Sequence, residues 1–304
     1  MKKAIVTGAT GAIGNALIEA LIAHDIKVLV LIREGSPRNQ SIPKSTLVRT
    51  CPCSLDALSS LYPDGDAPYD VFYHLAWEGT TGAARDDMFL QNRNVGFALD
   101  AVNAAARMGC HTFIGAGSQA EYGRAEGRLT PDTPTRPETG YGIGKLCAGL
   151  MTRERAHQLG MKHIWVRVVS VYGPNDGAQS LVMSTIHQLR AGVTPKFTKG
   201  EQRWDYLYSA DAAEALRLLA DRGIDGKTYV LGGGHTRPLS NYICDIRDAV
   251  APNAELAFGE IPYGERQVMH LEADISALQT DTGWAPRYSF REGMEALLQS
   301  MDQA

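Results

Sequence analysis

Thr7-Gly8-Ala9-Thr10-Gly11-Ala12-Ile13-Gly14 decides how this chain folds. Residues 4–6 before it are a short apolar run of β type, and residues 15–23 after it carry apolar side chains at helical spacing. A Gly-x-x-Gly-x-x-Gly run therefore joins a strand at the very start to a helix. In that setting Gly8 allows the tight turn, Gly11 lets a pyrophosphate approach the backbone, and Gly14 lets helix and strand pack closely. The helix N-terminus then faces the anion, and Thr10, Ala12 and Ile13 are further candidate cofactor contacts. The pattern points to a dinucleotide held at the mouth of a βαβ unit.

Residues 27–32 form the second strand and are nearly all apolar, as a strand covered on both faces is. An acidic residue at its end would bond the ribose 2′-hydroxyl of NAD, whereas a basic one suits the 2′-phosphate of NADP. The sequence there is Arg33-Glu34-Gly35-Ser36-Pro37-Arg38. Arg33 leads, with Ser36 and Arg38 available, so NADP is the expected cofactor; NAD, with Glu34 on the ribose, is the alternative.

A second informative stretch is Thr139-Gly140-Tyr141-Gly142-Ile143-Gly144-Lys145-Leu146. Tyr141 and Lys145 are four apart, which puts both on one helix face. A phenol holds its proton to about pH 10. A neighbouring ammonium favours the phenolate, so the pair can make Tyr141 a proton donor and acceptor near neutrality.

The 304 residues are 44% hydrophobic and 21% charged, with a net charge of -4, an ordinary globular composition. Nothing in this balance suggests a nucleic-acid or acidic-membrane surface. The apolar run behind the N-terminal Met-Lys-Lys is too short for a secretion signal, and no stretch approaches a membrane span, so a cytoplasmic protein is expected. The five cysteines, Cys51, Cys53, Cys110, Cys147 and Cys244, are an odd, scattered set and not a disulfide framework. Cys51-Pro52-Cys53 lacks a second pair at ligand spacing, so both are expected as buried strand thiols and no metal site is expected.

Strands are expected at 47–53, 70–77, 111–116 and 162–171, with a helix at 56–61. Asp56 either reaches the adenine edge or caps that helix. Leu75 and Ala76 end the fourth strand, beside the nicotinamide half of a dinucleotide, and His74 reads as a packed core histidine. Long helices are expected at 88–108 and from Tyr141 to 159. Asn94, inside the first, is placed to bond main-chain groups nearby. Strands alternating with helices to this point mean a doubly wound parallel sheet. After Pro174 the pattern loosens, with helices expected at 180–191, 210–221, 241–250 and 291–301, short strands at 205–208 and 228–231, and a hinge-like Gly232-Gly233-Gly234.

The Gly-rich turn, Ser118 after strand five and Tyr-x-x-x-Lys on the next helix together resemble the extended short-chain dehydrogenase/reductase superfamily. More closely the chain is similar to its nucleotide-sugar epimerase/dehydratase/reductase branch, through His74-Leu75-Ala76, Arg167–Pro174, Asp205–Asp211 and Thr282-Gly283-Trp284-Ala285-Pro286. The resemblance implies a Rossmann-type α/β fold. Residues 1–173 would bind the dinucleotide, with 205–231 returning to their sheet, and 174–204 plus 232–304 would form a smaller C-terminal α/β lobe for the nucleotide sugar. It further implies Tyr141 as acid/base, Lys145 holding the nicotinamide ribose and lowering the Tyr141 pKa, and Ser118 bonding the substrate oxygen. A homodimer through helices 88–108 and 141–159 is expected by the same analogy.

Departures from the family pattern carry finer information. The sugar 4,6-dehydratases have Thr-Asp-Glu after strand five, where this chain has Ser118-Gln119-Ala120, so dehydration is set aside; Glu121 is expected to point elsewhere. The usual diphosphate-clamping Arg is Trp204, with Arg203 displaced by one, and Arg266 is a candidate replacement. The usual Asn of the strand-six motif is Ser170. Trp77, Gln119, Ser170, Arg203, Trp204 and Arg266 are the candidate substrate contacts. The expected reaction is NADPH-dependent reduction of the 4-keto group of a nucleotide-activated 4-keto-6-deoxyhexose, as in deoxysugar biosynthesis. The alternatives are an NAD-dependent nucleotide-sugar 4-epimerase and, third, a non-catalytic NAD(P)-binding protein, a reading that the retained Ser118, Tyr141 and Lys145 oppose.

Overall fold

The computed structural model describes residues 1–63 and 65–303. Its first half alternates as the sequence predicts: β1 (Lys3–Thr7), α1 (Ala12–Ala23), β2 (Lys27–Ile32), β3 (Val48–Pro52), β4 (Val71–His74), α2 (Met88–Arg107), β5 (Thr112–Ser118), α3 (Gly140–Gln158) and β6 (Lys162–Val168). The remainder is β7 (Val171–Tyr172), α4 (Leu181–Arg190), β8 (Lys196–Phe197), β9 (Arg203–Trp204), β10 (Leu207–Tyr208), α5 (Ser209–Arg222), β11 (Thr228–Leu231), β12 (Arg237–Pro238), α6 (Leu239–Val250), β13 (Ala257–Phe258), α7 (Ser276–Thr282) and α8 (Phe290–Gln303).

Seven strands make one sheet in the order β11-β6-β5-β4-β1-β2-β3, every neighbour parallel. Strand order reverses between β1 and β4, which is where such sheets open a crevice at their carboxyl ends. Alternate residues of each strand feed opposite faces. Ala4, Val6, Val28 and Val30 pack with α1 and α5, while Ile5, Leu29, Leu31, Phe72 and Phe113 pack with α2. Phe72 and Phe113 are wholly buried, and each such side chain contributes about 1.5–3 kcal/mol.

Three segments differ from the sequence reading. Residues 56–61 make a tight 3-10 turn (Leu55–Ser60) in place of an α-helix. The sixth strand stops at Val168; Val171 and Tyr172 pair with Leu207 and Tyr208 in a separate ribbon, so of residues 205–231 only Thr228–Leu231 lies in the main sheet. Helix α7 was not foreseen, being only seven residues long.

A second core gathers Tyr172, Val182, Ile186, Tyr208, Tyr242, Ile246, Phe290 and Leu297 from the C-terminal segments. Two carboxylates tie those segments down. Buried Asp205 accepts N–H bonds from Gly233, Gly234 (3.0 Å) and Ala273 (3.0 Å), so the glycine run is pinned at two of its residues rather than a hinge. Asp211 accepts from the Arg287 and Tyr288 N–H groups, while Trp284 Nε1 donates to the Asp211 carbonyl. The two C-terminal motifs thus meet each other, and their residues serve as staples.

Candidate active site

The Gly-rich turn is built against backbone on every side. Gly8 has a left-handed φ of 75°, and a Cβ there would lie 2.7 Å from the Ala76 nitrogen. A Cβ on Gly14 would lie 2.2 Å from the Gly8 carbonyl oxygen. Gly11 differs, because its Cβ would meet only that oxygen, at 3.7 Å. No side chain caps α1, whose first-turn N–H groups are left for a ligand.

A cleft runs over this turn. On one side it is lined by Gly8, Thr10, Gly11, Arg33, Ser36 and Arg38, then by Leu75, Ala76 and Trp77. On the other it passes Gly11, Ala12, Ile13, Gly14 and Leu75 to Ala116 and Val168. Two guanidiniums and a hydroxyl therefore stand at the end of β2, and Glu34 is not in the lining. Arg38 donates to the Thr10 carbonyl at 2.7 Å and lies 3.4 Å from the Asn175 carbonyl, bridging the turn to the segment after β7. Asp56 is exposed and takes a hydrogen bond from Ser54; Ser54 and Leu55 line the cleft where Asp56 was expected. Cys51 and Cys53 are half-exposed rather than buried, since β3 is a sheet edge. Cys53 lies beyond the strand end in the cleft wall, and burial, with Cys51 and Asp56 adding to it, pushes its thiol up to about 11.

Beyond the cleft stand Ser118, Tyr141 and Lys145. Thr139 caps α3, its hydroxyl accepting from Gly142 N–H at 3.1 Å. The alternating glycines of this stretch are spacers: a Cβ on Gly142 would lie 2.3 Å from the Ala120 carbonyl oxygen, and one on Gly144 would touch Trp77 and Gln91. Helix α3 thereby approaches the turn that carries Ser118. The Ser118 hydroxyl accepts from Ala120 N–H at 3.1 Å, and Glu121 accepts from Ser118 N–H at 2.8 Å, forming a capping box. Glu121 turns away from the cleft, wholly buried, to take Trp165 Nε1 (3.0 Å) and Arg167 Nε (2.7 Å).

The Ser118 hydroxyl favours ionised Tyr141, but burial outweighs it and holds the phenol above its ordinary pKa. Lys145 is engaged elsewhere. Its Nζ donates to the Ala116 carbonyl at 2.6 Å and sits 3.9 Å above the Trp77 ring, 5.8 Å from the centre of the Tyr141 ring. Burial lowers the Lys145 pKa to about 7, against a smaller upward pull from Glu121. Trp77 meets Tyr141 edge-on and donates from Nε1 to Gln91 Oε1 at 2.8 Å. Asn94 takes the Glu78 N–H and returns a bond to the Glu78 carbonyl, fixing the segment after β4. His74 is a packed core residue: Nδ1 lies 3.2 Å from the Thr7 hydroxyl, and burial keeps it neutral, with a pKa of about 3.

The other candidate contacts are scattered. Ser170 accepts from Trp204 Nε1 at 3.1 Å, and Trp204 lines a separate C-terminal cavity of about 380 Å³ with Gln179, Lys196, Gln202 and Tyr206. Arg203 reaches away to Thr236, at 2.9 and 2.8 Å. Arg266 is exposed, 3.0 Å from the Glu138 carbonyl and 3.8 Å from Asp86. Gln119 follows Ser118 and is half-buried. Among the described residues no His, Cys, Asp and Glu cluster could hold a metal ion, and no helix is long and apolar enough to cross a membrane.

A parallel sheet reversing at β1/β4, a glycine cradle at α1 and a Ser–Tyr–Lys group beyond it define a short-chain dehydrogenase/reductase architecture of the extended, nucleotide-sugar type. The chain belongs to the NAD dependent epimerase/dehydratase family, whose model matches residues 4–232. It is 28% identical over 177 residues to the dTDP-glucose 4,6-dehydratase of Xanthomonas campestris pv. campestris, covering 55% of this chain but only 50% of that protein. Identity to the Streptomyces griseus dTDP-glucose 4,6-dehydratase is 26% over 309 residues, 96% of this chain and 92% of that one. In fold it is similar to the Thermotoga maritima UDP-glucose 4-epimerase solved with UDP-glucose (TM-score 0.86, 19% identity, 99% of each chain). It is equally similar to the Bacillus cereus UDP-glucuronic acid 4-epimerase solved with UDP-glucuronic acid and NAD (TM-score 0.85, 22% identity, 99% of each chain). The homologues are NAD-dependent nucleotide-sugar epimerases and dehydratases.

Proposed function

We propose that the protein reduces the 4-keto group of a nucleotide-activated 4-keto-6-deoxyhexose with NADPH. The observation that carries this reading is the end of β2, where Arg33, Ser36 and Arg38 line the cleft and Glu34 does not; the lining carboxylate Glu78 belongs to the segment after β4. Such a site suits a 2′-phosphate. The cofactor supplies hydride. Tyr141 passes its proton to the oxygen of the reduced carbon, Ser118 holds that oxygen, and Lys145 secures the nicotinamide ribose. Ser118 is pre-set for this by its own capping box, whose one carboxylate, Glu121, also takes Trp165 and Arg167. With Gln119 and Ala120 in the next two positions, the turn offers no acid pair for eliminating water, which supports reduction over dehydration. The sugar would lie between Tyr141 and the C-terminal lobe, and its nucleotide in the cavity beside Trp204. Residues 1–173 with strand β11 would form the cofactor unit and the remaining segments the substrate lobe. The exposed Phe89, Ile143, Leu150 and Met151 on α2 and α3 would pair two copies of the chain.

A second reading, an NAD-dependent nucleotide-sugar 4-epimerase, is favoured by the Arg38 bridge from Thr10 to Asn175, which would help retain a cofactor across both half-reactions. Mass analysis of the nucleotide released from protein purified without additions, followed by titration of the emptied protein with NADPH and NADH, separates the two. Empty protein preferring NADPH, with turnover of a 4-keto-6-deoxy nucleotide sugar lost in Tyr141→Phe, is the expected result. Tightly held NAD would give the site to the epimerase.

A further inference from the structure

We infer that Arg85 is a positioning residue for the reaction: its guanidinium, laid on the face of Tyr141, sets the ease with which that phenol gives up its proton. The inference deepens the role proposed for Tyr141 and rests on it. Arg85 belongs to the tight turn Gly82–Asp86, between β4 and α2. Its Cζ lies 4.3 Å from the centre of the Tyr141 ring, nearer than the Lys145 ammonium at 5.8 Å.

This placement is built. Gln91 Nε2 holds the turn by the carbonyls of Gly79 (3.0 Å) and Ala84 (2.8 Å). Asp86 accepts from Gly140 N–H at 3.0 Å, fastening the turn to the start of α3 one residue before Tyr141. Gly140 leaves room for it, since a Cβ there would be 3.0 Å from the Arg85 carbonyl oxygen. The Arg85 side chain is steadied by the Thr80 carbonyl at 2.9 Å. It is half-buried, and among the described residues no carboxylate forms an ion pair with it. Asp86, its neighbour, is engaged by Gly140 and faces Arg266.

The charges acting on the phenol come from three elements. Glu121, buried under the Ser118 turn, opposes ionisation; Arg85 favours it, alongside the Ser118 hydroxyl; Lys145, on the same helix, faces Ala116 and Trp77. In this arrangement Arg85 supplies the field that sequence reasoning assigned to Lys145. A cation at this range, partly screened by water, shifts a phenol by roughly one pH unit.

The test is a pH titration of the full chain labelled with ζ-carbon-13 tyrosine, the Tyr141 signal being assigned by its loss in Tyr141→Phe. In Arg85→Gln the Tyr141 midpoint is expected about one unit higher than in the parent, and Arg85→Lys should bring it most of the way back. An unchanged midpoint in Arg85→Gln overturns the inference. So does an equal shift in both variants, which would mark a displaced turn. The readout needs no turnover. A Tyr141→Phe enzyme that still works would sink the catalytic reading while leaving the Arg85–Tyr141 coupling standing.

Discussion

Gly11→Ala separates what the glycine cradle does for the fold from what it does for the ligand. At Gly11, φ is -91° and ψ is 168°, values open to alanine, and the added Cβ meets nothing closer than the Gly8 oxygen at 3.7 Å. Alanine is a poorer helix N-cap than glycine, by about 0.5 kcal/mol, but it also restricts the unfolded chain by about 0.4–1 kcal/mol. The two nearly cancel, so Tm should move by less than about 2 °C. The methyl group stands in the cleft, however, between a bound pyrophosphate and the first-turn N–H groups of α1. Losing or stretching one charge-assisted hydrogen bond costs about 1.5–3 kcal/mol, which is roughly a 10- to 100-fold weaker cofactor. Gly14→Ala is the control. Its Cβ would sit 2.2 Å from a backbone oxygen that cannot yield cheaply, so about 2–3 kcal/mol of stability should go with it. Calorimetry of the cofactor-free proteins and fluorescence titration with NADPH read both quantities. A Gly11→Ala protein that melts as early as Gly14→Ala, or binds NADPH undiminished, would refute the assignment of Gly11 to the ligand.

Lys145 makes stability pH-dependent. Its pKa falls from 10.5 unfolded to about 7 folded, so between those values the unfolded chain binds a proton that the folded one does not. The cofactor-free parent should gain on the order of 3–5 kcal/mol from pH 7 to 10.5, a rise missing from Lys145→Met; parallel urea midpoints across that range would contradict this. Replacing Arg33 and Arg38 together by Ser should cut the preference for NADPH over NADH by roughly 30-fold or more while leaving NADH affinity nearly unchanged; equal losses for both cofactors would count against a 2′-phosphate site. Phe89 is 82% exposed, and with Ile143, Leu150 and Met151 it should lie in an interface between two copies. Sedimentation should give twice the chain mass, falling to the monomer for Phe89→Glu with Leu150→Glu, whereas a monomeric parent removes the proposal.

Much of this architecture is local enough to read in one dimension. Gly8, Gly11 and Gly14 declare a strand, a turn and a helix because each role is set by neighbours a few residues away, and Tyr141 and Lys145 share a face because helices repeat. What escaped is what the packing decides. The Tyr141–Lys145 spacing says nothing of Trp77, which follows β4 and lies under the Lys145 ammonium, or of the Ala116 carbonyl that this ammonium bonds. Arg85 lies 56 positions from Tyr141, and the bond from Gly140 to Asp86 fastens its turn beside that residue. Glu121 was legible in part: Ser118-Gln119-Ala120-Glu121 is a capping-box sequence, and reading it so would have placed the carboxylate beneath Ser118. The ribbon of β7 with β10 went unseen because two-residue strands leave no periodicity.

The edge strand β11 of the main sheet has a consequence for how the protein is made. Strand β11 joins β6 only after the chain has left the sheet, contributed α4 to the other core and come back through α5. During synthesis, Lys162–Val168 therefore emerges with one row of peptide groups uncovered and stays so until residue 231 has left the ribosome. An open parallel edge of buried type is a template for joining other nascent chains. Whatever shelters it in that interval, a chaperone or early closure of α3 over the sheet, bears on the yield of folded protein independently of the stability of the finished molecule.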